Sequence, residues 1–312
     1  MLKVRPASLP RPFLALLMVS GLALLQLACG GGSSSSTSTS DPVQDPAGQP
    51  FFSHVVIVVE ENHGYSDVVG SSSMPYFNTL VSQYGLATQY FANAHPSLPN
   101  YLMLTTGQME SSIDGFTGVI SDDNVVRELV KLGKSWKAYA ESLPSPGYLG
   151  GDAGAYAQDH NPFTYLSDVQ NNPTQAANVV PFTQFATDLA NNALPQYSFI
   201  MPNLTDDAHD GTLTQADSWL QTNIAPLIAN SSFQSSGLLI ITFDEAEDSD
   251  VNHGGGQVAT LIISSTAKKG YKSTTFYQHQ STLRLMLSES GVTTFPGMAA
   301  TAPDMTEFFT GH

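Results

Sequence analysis

The chain has 312 residues, with 11 Lys and Arg against 27 Asp and Glu, a formal net charge of −16. Hydrophobic residues make up 41% and aromatics 10%, which excludes a disordered or coiled-coil class and leaves enough apolar side chain for a substantial core. The acidic balance excludes nucleic acid as a partner, because a phosphate backbone demands a basic footprint. A single cysteine, Cys29, excludes a disulfide framework and a Cys-rich zinc knuckle.

Residues 1–28 carry Lys3, Arg5 and Arg11 ahead of an apolar stretch from Phe13 to Ala28, interrupted by Ser20, Gly21 and Gln26. The stretch is short for a membrane span of about 20 residues and reads as a secretory leader. Cys29 follows Leu27-Ala28 directly and precedes Gly30-Gly31-Gly32, which resembles a bacterial lipoprotein signal. That resemblance implies a lipid on Cys29 and a place at the bacterial cell envelope, lipid-anchored or secreted, with the anchor as the only membrane contact; an ordinary secretory signal with an incidental cysteine is the alternative. Residues 29–50 are rich in Gly, Ser, Thr, Pro and Asp, have nothing to bury, and read as a flexible tether. The folded domain is expected over 51–312.

His54-Val-Val-Ile-Val-Val59 is a continuous β-branched run, the pattern of a strand buried on both faces. Met74, Phe77, Leu80, Val81 and Tyr84 fall at helical spacing. Leu86 to Phe91 reads as a strand, and Pro99 to Thr106 as a helix opened by Ser97 and Pro99. Further helices are expected over 125–132, 182–191, 216–229 and 279–288, with Pro226 kinking or breaking the third. Further strands are expected over 136–140, 197–201, 238–243 and 258–264. Strands alternating with helices predict a three-layer α/β/α sandwich with a mostly parallel central sheet.

In such sheets ligands bind beyond the carboxyl ends of the strands. The first buried strand ends in Glu60-Glu61-Asn62-His63, and the strand 238–243 in Asp244-Glu245. Tyr197–Met201 runs on into Asp206-Asp207-Ala208-His209-Asp210. Any one of these acids alone reads as a solvated loop residue. Three strands delivering carboxylates, an amide and a histidine to one edge point to a hard-cation or mixed oxygen/nitrogen metal site. Five of the eight histidines, His95, His160, His209, His253 and His279, sit in loops or at helix starts, where they can ligate a metal or contact a phosphoryl group. The nucleophile candidate is Ser97, at a helix start where backbone N–H groups face an anion, although a plain N-cap serine fits the same residues. No Gly-x-Ser-x-Gly elbow, P-loop or His-Glu-x-x-His is present.

Val58-Val-Glu-Glu-Asn-His-Gly-Tyr-Ser-Asp67 resembles the Glu-Asn metal motif of the bacterial phosphoesterase family, which includes acid phosphatases and phospholipases C and belongs to the alkaline phosphatase superfamily. Ser97-Leu-Pro-Asn-Tyr-Leu-Met-Leu-Thr-Thr-Gly107 is similar to the nucleophile stretch of nucleotide pyrophosphatases. Pro202-Asn-Leu-Thr-Asp-Asp-Ala-His-Asp-Gly211, Thr242-Phe-Asp-Glu245, His253 and Tyr277-Gln-His279 resemble the secreted acid phosphatases, most closely the mycobacterial type. The likeness runs from about 54 to 290 and takes in Ser135–Glu141 and His160–Phe163.

The resemblance implies an alkaline phosphatase-like fold and a divalent-cation phosphoesterase working through a phosphoserine at Ser97. Glu61, Asn62, Ser97, Asp244 and Glu245 would hold the cation, and Asn100 would bind a phosphoryl oxygen. His160, His209, His253 and His279, with Asp207, would contact phosphate, hold a second cation or protonate the leaving group. Asp207 and His209 are only two apart and Asp244 is followed by Glu, so one ion or two remain open. The expected substrate is a phosphorylated small molecule or lipid. A phosphomonoesterase leads, with a phospholipase C-type diesterase and a non-catalytic surface lipoprotein of the same fold as alternatives.

Overall fold

Ten strands organise the computed structural model, which describes residues 52–311; the expected leader, Cys29 and the tether lie outside the described residues. They are β1 His54–Glu60, β2 Gly85–Ala87, β3 Tyr90–Phe91, β4 Trp136–Ala140, β5 Val179–Pro181, β6 Tyr197–Met201, β7 Gly237–Phe243, β8 Thr260–Ser264, β9 Lys272–Ser273 and β10 Tyr277–Gln278. Eight form one sheet in the order β5-β4-β6-β1-β7-β8-β2-β9, and β10 pairs with β3 separately. Every neighbouring pair in the large sheet is parallel except those of β8, which runs antiparallel to both β7 and β2.

The centre of the sheet is where the sequence is most apolar. All of β7 and β8, and all of β1 after His54, are buried, so both faces of the sheet are covered. This is why those segments read as uninterrupted Val, Ile and Leu rather than as alternating patterns. Val58 pairs with Ile200 of β6 and Ile241 of β7, so the three central strands end level. That register delivers residues 61, 202 onward and 244 to one edge.

Helices pack in pairs over this sheet. Pro75–Gln83 lies against Leu213–Asn223, and Ser97–Thr106 against His279–Glu289. The mostly parallel α/β architecture is as the sequence predicts. One element differs, and one breaks at the proline expected to kink or break it. The strand expected over 86–91 is two strands: after β2 the Thr88 N–H turns to Ser273 O, and Tyr90 then pairs with Tyr277. The helix expected over 216–229 is two helices, Leu213–Asn223 and Ala225–Ala229, parted at Ile224 just ahead of Pro226, which has no N–H to continue the ladder. Among the described residues, no helix is long and apolar enough to cross a membrane.

Candidate active site

The site is built where β1, β6 and β7 end. Glu61 follows β1, and its N–H donates to Asp207 O at 2.9 Å, which ties the segment after β6 to the end of β1. Asp244 follows β7, and its N–H donates to Glu60 O at 2.9 Å. Asn62 turns the chain in the left-handed region, φ 54°, which asparagine tolerates better than most residues. Its backbone N–H donates to Asp244 Oδ1 at 3.2 Å. Hydrogen bonding between strand ends therefore sets the spacing of Glu61, Asn62, Asp207 and Asp244.

The fourth element is the helix Ser97–Thr106, all ten residues of which are buried. It ends at Gly107, φ 70°, where a Cβ would stand 2.4 Å from Pro296 O, so only glycine closes this helix without displacing the chain it touches. Pro96, not Ser97, is the N-cap; Ser97 is the first helical residue and makes no capping bond. Its hydroxyl instead donates to Glu61 Oε2 at 3.1 Å and lies 3.4 Å from Glu245 Oε1. The first turn offers little to an anion, because Pro99 has no N–H and the Leu98 N–H donates to Asp114 Oδ1 at 3.0 Å.

Asn100 lies beside Glu245, to which Nδ2 donates at 3.3 Å. Its Oδ1 accepts the N–H groups of Asn93 and Ala94 at 3.0 and 3.1 Å, and Nδ2 also donates to Ala94 O at 2.8 Å. The amide that the resemblance assigns to a phosphoryl oxygen thus holds the chain ahead of the helix. Tyr101, one turn after Ser97, was not singled out from the sequence. Its hydroxyl donates to Glu61 Oε1 at 2.5 Å, and its ring stacks on His160 at 5.3 Å with 9° between the planes.

The donor set fits a hard divalent cation. The end of the Asn62 amide lies 3.1 Å from both Glu61 Oε2 and Glu245 Oε1. With nitrogen there it donates to both carboxylates; with oxygen there three acceptors face one another, which a cation relieves. Asp244 Oδ2 is buried without a hydrogen-bond partner. Burial, then the Asp244 and Asp207 charges, pushes the Glu61 carboxyl well above the usual range. Burial also pushes Asp244 up to about 6, and burial with the Asp244 charge pushes Glu245 up to about 9. Acids crowded in this way want a counter-charge.

The histidines divide. His160, 4% exposed, sits with Nδ1 3.3 Å from Asp207 Oδ2 and 3.5 Å from Glu61 Oε1. Burial pushes its imidazole down, but the carboxylates of Asp207, Asp159 and Asp244 together outweigh this and leave it raised. The His209 ring lies 5.6 Å from that of His160 and its Nδ1 bonds Asp210 Oδ1 at 3.0 Å, at the rim. His279 is fully buried, with Nε2 2.6 Å from Asp244 O and Nδ1 3.1 Å from Tyr90 Oη. Both its nitrogens are engaged, so it braces the Asp244 backbone rather than offering a free ligand atom. His253 is not brought into this cluster: its ring packs on Phe91 and Phe276. His95 holds Glu245 Oε2 through Nδ1 at 2.9 Å.

Residues 71–293 match the Phosphoesterase family. The chain is 34% identical over 258 residues to a probable acid phosphatase of Kluyveromyces lactis, covering 80% of this chain and 60% of that one. It is 33% identical over 264 residues to the phosphatidylinositol-3-phosphatase of Mycobacterium tuberculosis, covering 83% and 84%. The fold resembles an alkaline phosphatase superfamily protein of Vibrio parahaemolyticus, with a TM-score of 0.54 at 14% identity over 78% of this chain and 67% of that one. The chain spans less than two thirds of the length of the yeast relative. With the family match covering more than half of its residues and the Glu61, Ser97 and Asp244 segments converging at one sheet edge, the chain belongs to the Phosphoesterase family.

Proposed function

We propose that this domain hydrolyses phosphate monoesters, with Ser97 as nucleophile and a divalent cation held by Glu61, Asn62, Ser97, Asp244 and Glu245. The observation that carries the reading is the Ser97 hydroxyl, 4% exposed and placed between Glu61 and Glu245 at the ends of two central strands. A cation there would lower the pKa of the serine hydroxyl and offset charge on a phosphoryl oxygen. Ser97 Oγ loses its proton to solvent and attacks phosphorus, the bond to the ester oxygen breaks, and the alcohol leaves with a proton. His160, whose imidazole the neighbouring carboxylates hold raised, lies with Nδ1 3.5 Å from Glu61 Oε1 and would supply that proton. Water then attacks the phosphoserine and gives a proton back to His160, phosphate leaves, and Ser97 regains its proton from solvent.

The relatives named acid phosphatase and phosphatidylinositol-3-phosphatase support a monoester, on a small molecule or a lipid headgroup. A lipid anchor at Cys29 would hold the domain at a bacterial envelope surface, and Cys29→Ser should release it from membranes. The test of the chemistry is Ser97→Ala. Turnover of an aryl phosphate monoester should fall by about 10³-fold or more, in kcat. Acid-quenched wild-type enzyme should carry phosphate on the Ser97 peptide, and exhaustive chelation should abolish activity until a divalent cation returns. A folded Ser97→Ala protein with near-wild-type turnover overturns the mechanism. A larger kcat/KM on the matching diester overturns the monoester assignment.

A further inference from the structure

Each of the two oxygens of the Glu61 carboxylate accepts a hydroxyl from the same helix. Ser97 and Tyr101 are four residues apart, so they stand on the same face of the helix Ser97–Thr106. Ser97 Oγ donates to Oε2 at 3.1 Å, and Tyr101 Oη donates to Oε1 at 2.5 Å. The pair therefore straddles one carboxylate and fixes its plane. The Tyr101 ring also lies flat against His160, whose Nδ1 is 3.5 Å from the same Oε1. One buried side chain thus fixes both a candidate cation ligand and the candidate proton donor.

The chemistry of a phenol suits the task. A Lys or Arg at this position would also fill the lone pair of Oε1, but it would cancel the negative charge that a cation needs. A neutral O–H fills the lone pair and leaves the charge in place. On the reading that a divalent cation sits among Glu61, Asn62, Ser97, Asp244 and Glu245, the geometry points to Tyr101 as a positioning residue that occupies Glu61 Oε1 and turns Oε2 towards Ser97 and the cation. It does not touch the reacting atoms; it acts through Glu61.

The experiment compares wild type with Tyr101→Phe, which keeps the ring on His160 and removes only the donor. Metal-free protein is titrated with Mn²⁺ alone, followed by electron paramagnetic resonance, and kcat and KM are measured separately on an aryl phosphate. Tyr101→Phe should weaken Mn²⁺ binding by about 10- to 100-fold, the scale for losing a group that orients a metal ligand. At saturating Mn²⁺, kcat should fall while KM stays close to wild type. Replacement by 4-aminophenylalanine, which keeps both ring and donor, should restore binding.

Unchanged Mn²⁺ affinity and kcat in Tyr101→Phe, beside tight binding by wild type, overturns the Tyr101 assignment alone. Wild-type protein that binds no Mn²⁺ overturns the cation reading and this assignment with it. If Tyr101→Phe does not fold, the 4-aminophenylalanine protein carries the test. Folded protein of that kind with binding lost overturns the assignment, and binding near the wild-type value supports it.

Discussion

Asn100 illustrates what a single residue contributes that its motif does not reveal. The Ser-Leu-Pro-Asn stretch implies an amide that binds a phosphoryl oxygen, yet beside Glu245 this amide is engaged by the backbone of Asn93 and Ala94. Removing Oδ1 leaves two N–H groups of the approach to the helix without an acceptor. Each such group costs about 1–3 kcal/mol when buried. Asn100→Ala should therefore lower the urea midpoint clearly as well as reduce activity. A residue whose task is only to bind phosphoryl oxygen would lose activity with no change in the midpoint, so an unchanged midpoint would return Asn100 to that task. Tyr101 is the converse case. Its spacing of four from Ser97 is visible in the sequence and places both on one helix face, but only the Glu61 contact shows what that face meets.

At the scale of elements, one helix begins with help from another. The helix Pro75–Gln83 has Met74 as its N-cap and no capping side chain of its own. Asp217, on the helix Leu213–Asn223, accepts the Tyr76 N–H at 2.9 Å and the Phe77 N–H at 2.8 Å. These are charge-assisted bonds at a helix N-terminus, where a carboxylate is favoured. Asp217→Ala should cost about 1.5–3 kcal/mol for each bond lost to a charged acceptor. Thr212→Ala, which removes a cap within its own helix, should cost about 1 kcal/mol. Chemical denaturation of the two variants side by side checks the order; a smaller loss for Asp217→Ala would mean that water replaces the carboxylate.

The same example shows why part of the fold is legible in sequence and part is not. β1, β6 and β7 announce themselves because burial on both faces writes a run of apolar residues. The acids that follow them are legible as a site because parallel strands end on one edge. β5 is only Val179–Pro181, too short to carry a period, and the Asp217 contact joins residues 140 apart with no local signal. The histidines are legible as a group and not one by one. His160, His209 and His253 each sit beside a turn, and tertiary packing alone sends the first into the cluster and the last against Phe91. Asp244→Ala belongs to this scale, since its carboxylate anchors the Asn62 turn from a neighbouring strand.

For the whole molecule, the buried acids make stability a function of pH and of cation. Burial, first of all, holds the Glu61 carboxyl high, Asp244 at about 6 and Glu245 at about 9. In the unfolded chain such groups ionise near pH 4 to 4.5, about their ordinary values. Between the two, the folded protein binds more protons than the unfolded chain, so stability falls as pH rises through that window. His279 acts in the opposite sense within the acid half of that window. Burial lowers its imidazole to about 4, so the unfolded chain takes up a proton first, and the His279 contribution to stability is lost as pH drops from about 6.5 towards 4, offsetting part of what the acids gain. Metal-free protein should therefore be most stable in mildly acid solution and lose stability steadily towards pH 9. A divalent cation replaces the protons as counter-charge, so saturating cation should flatten the alkaline side of the curve. The net charge of −16 also disfavours the compact state as pH rises, but that repulsion acts between exposed groups. It is screened at about 0.5 M salt, whereas the buried cluster is screened much less. Urea denaturation at about pH 5.5 and about pH 8.5, in high salt, with chelator and with Mn²⁺, separates the two contributions. The expected result is a large pH slope with chelator that Mn²⁺ removes. A slope that salt abolishes and Mn²⁺ leaves unchanged would assign the effect to the surface and count against a cation among Glu61, Asp244 and Glu245.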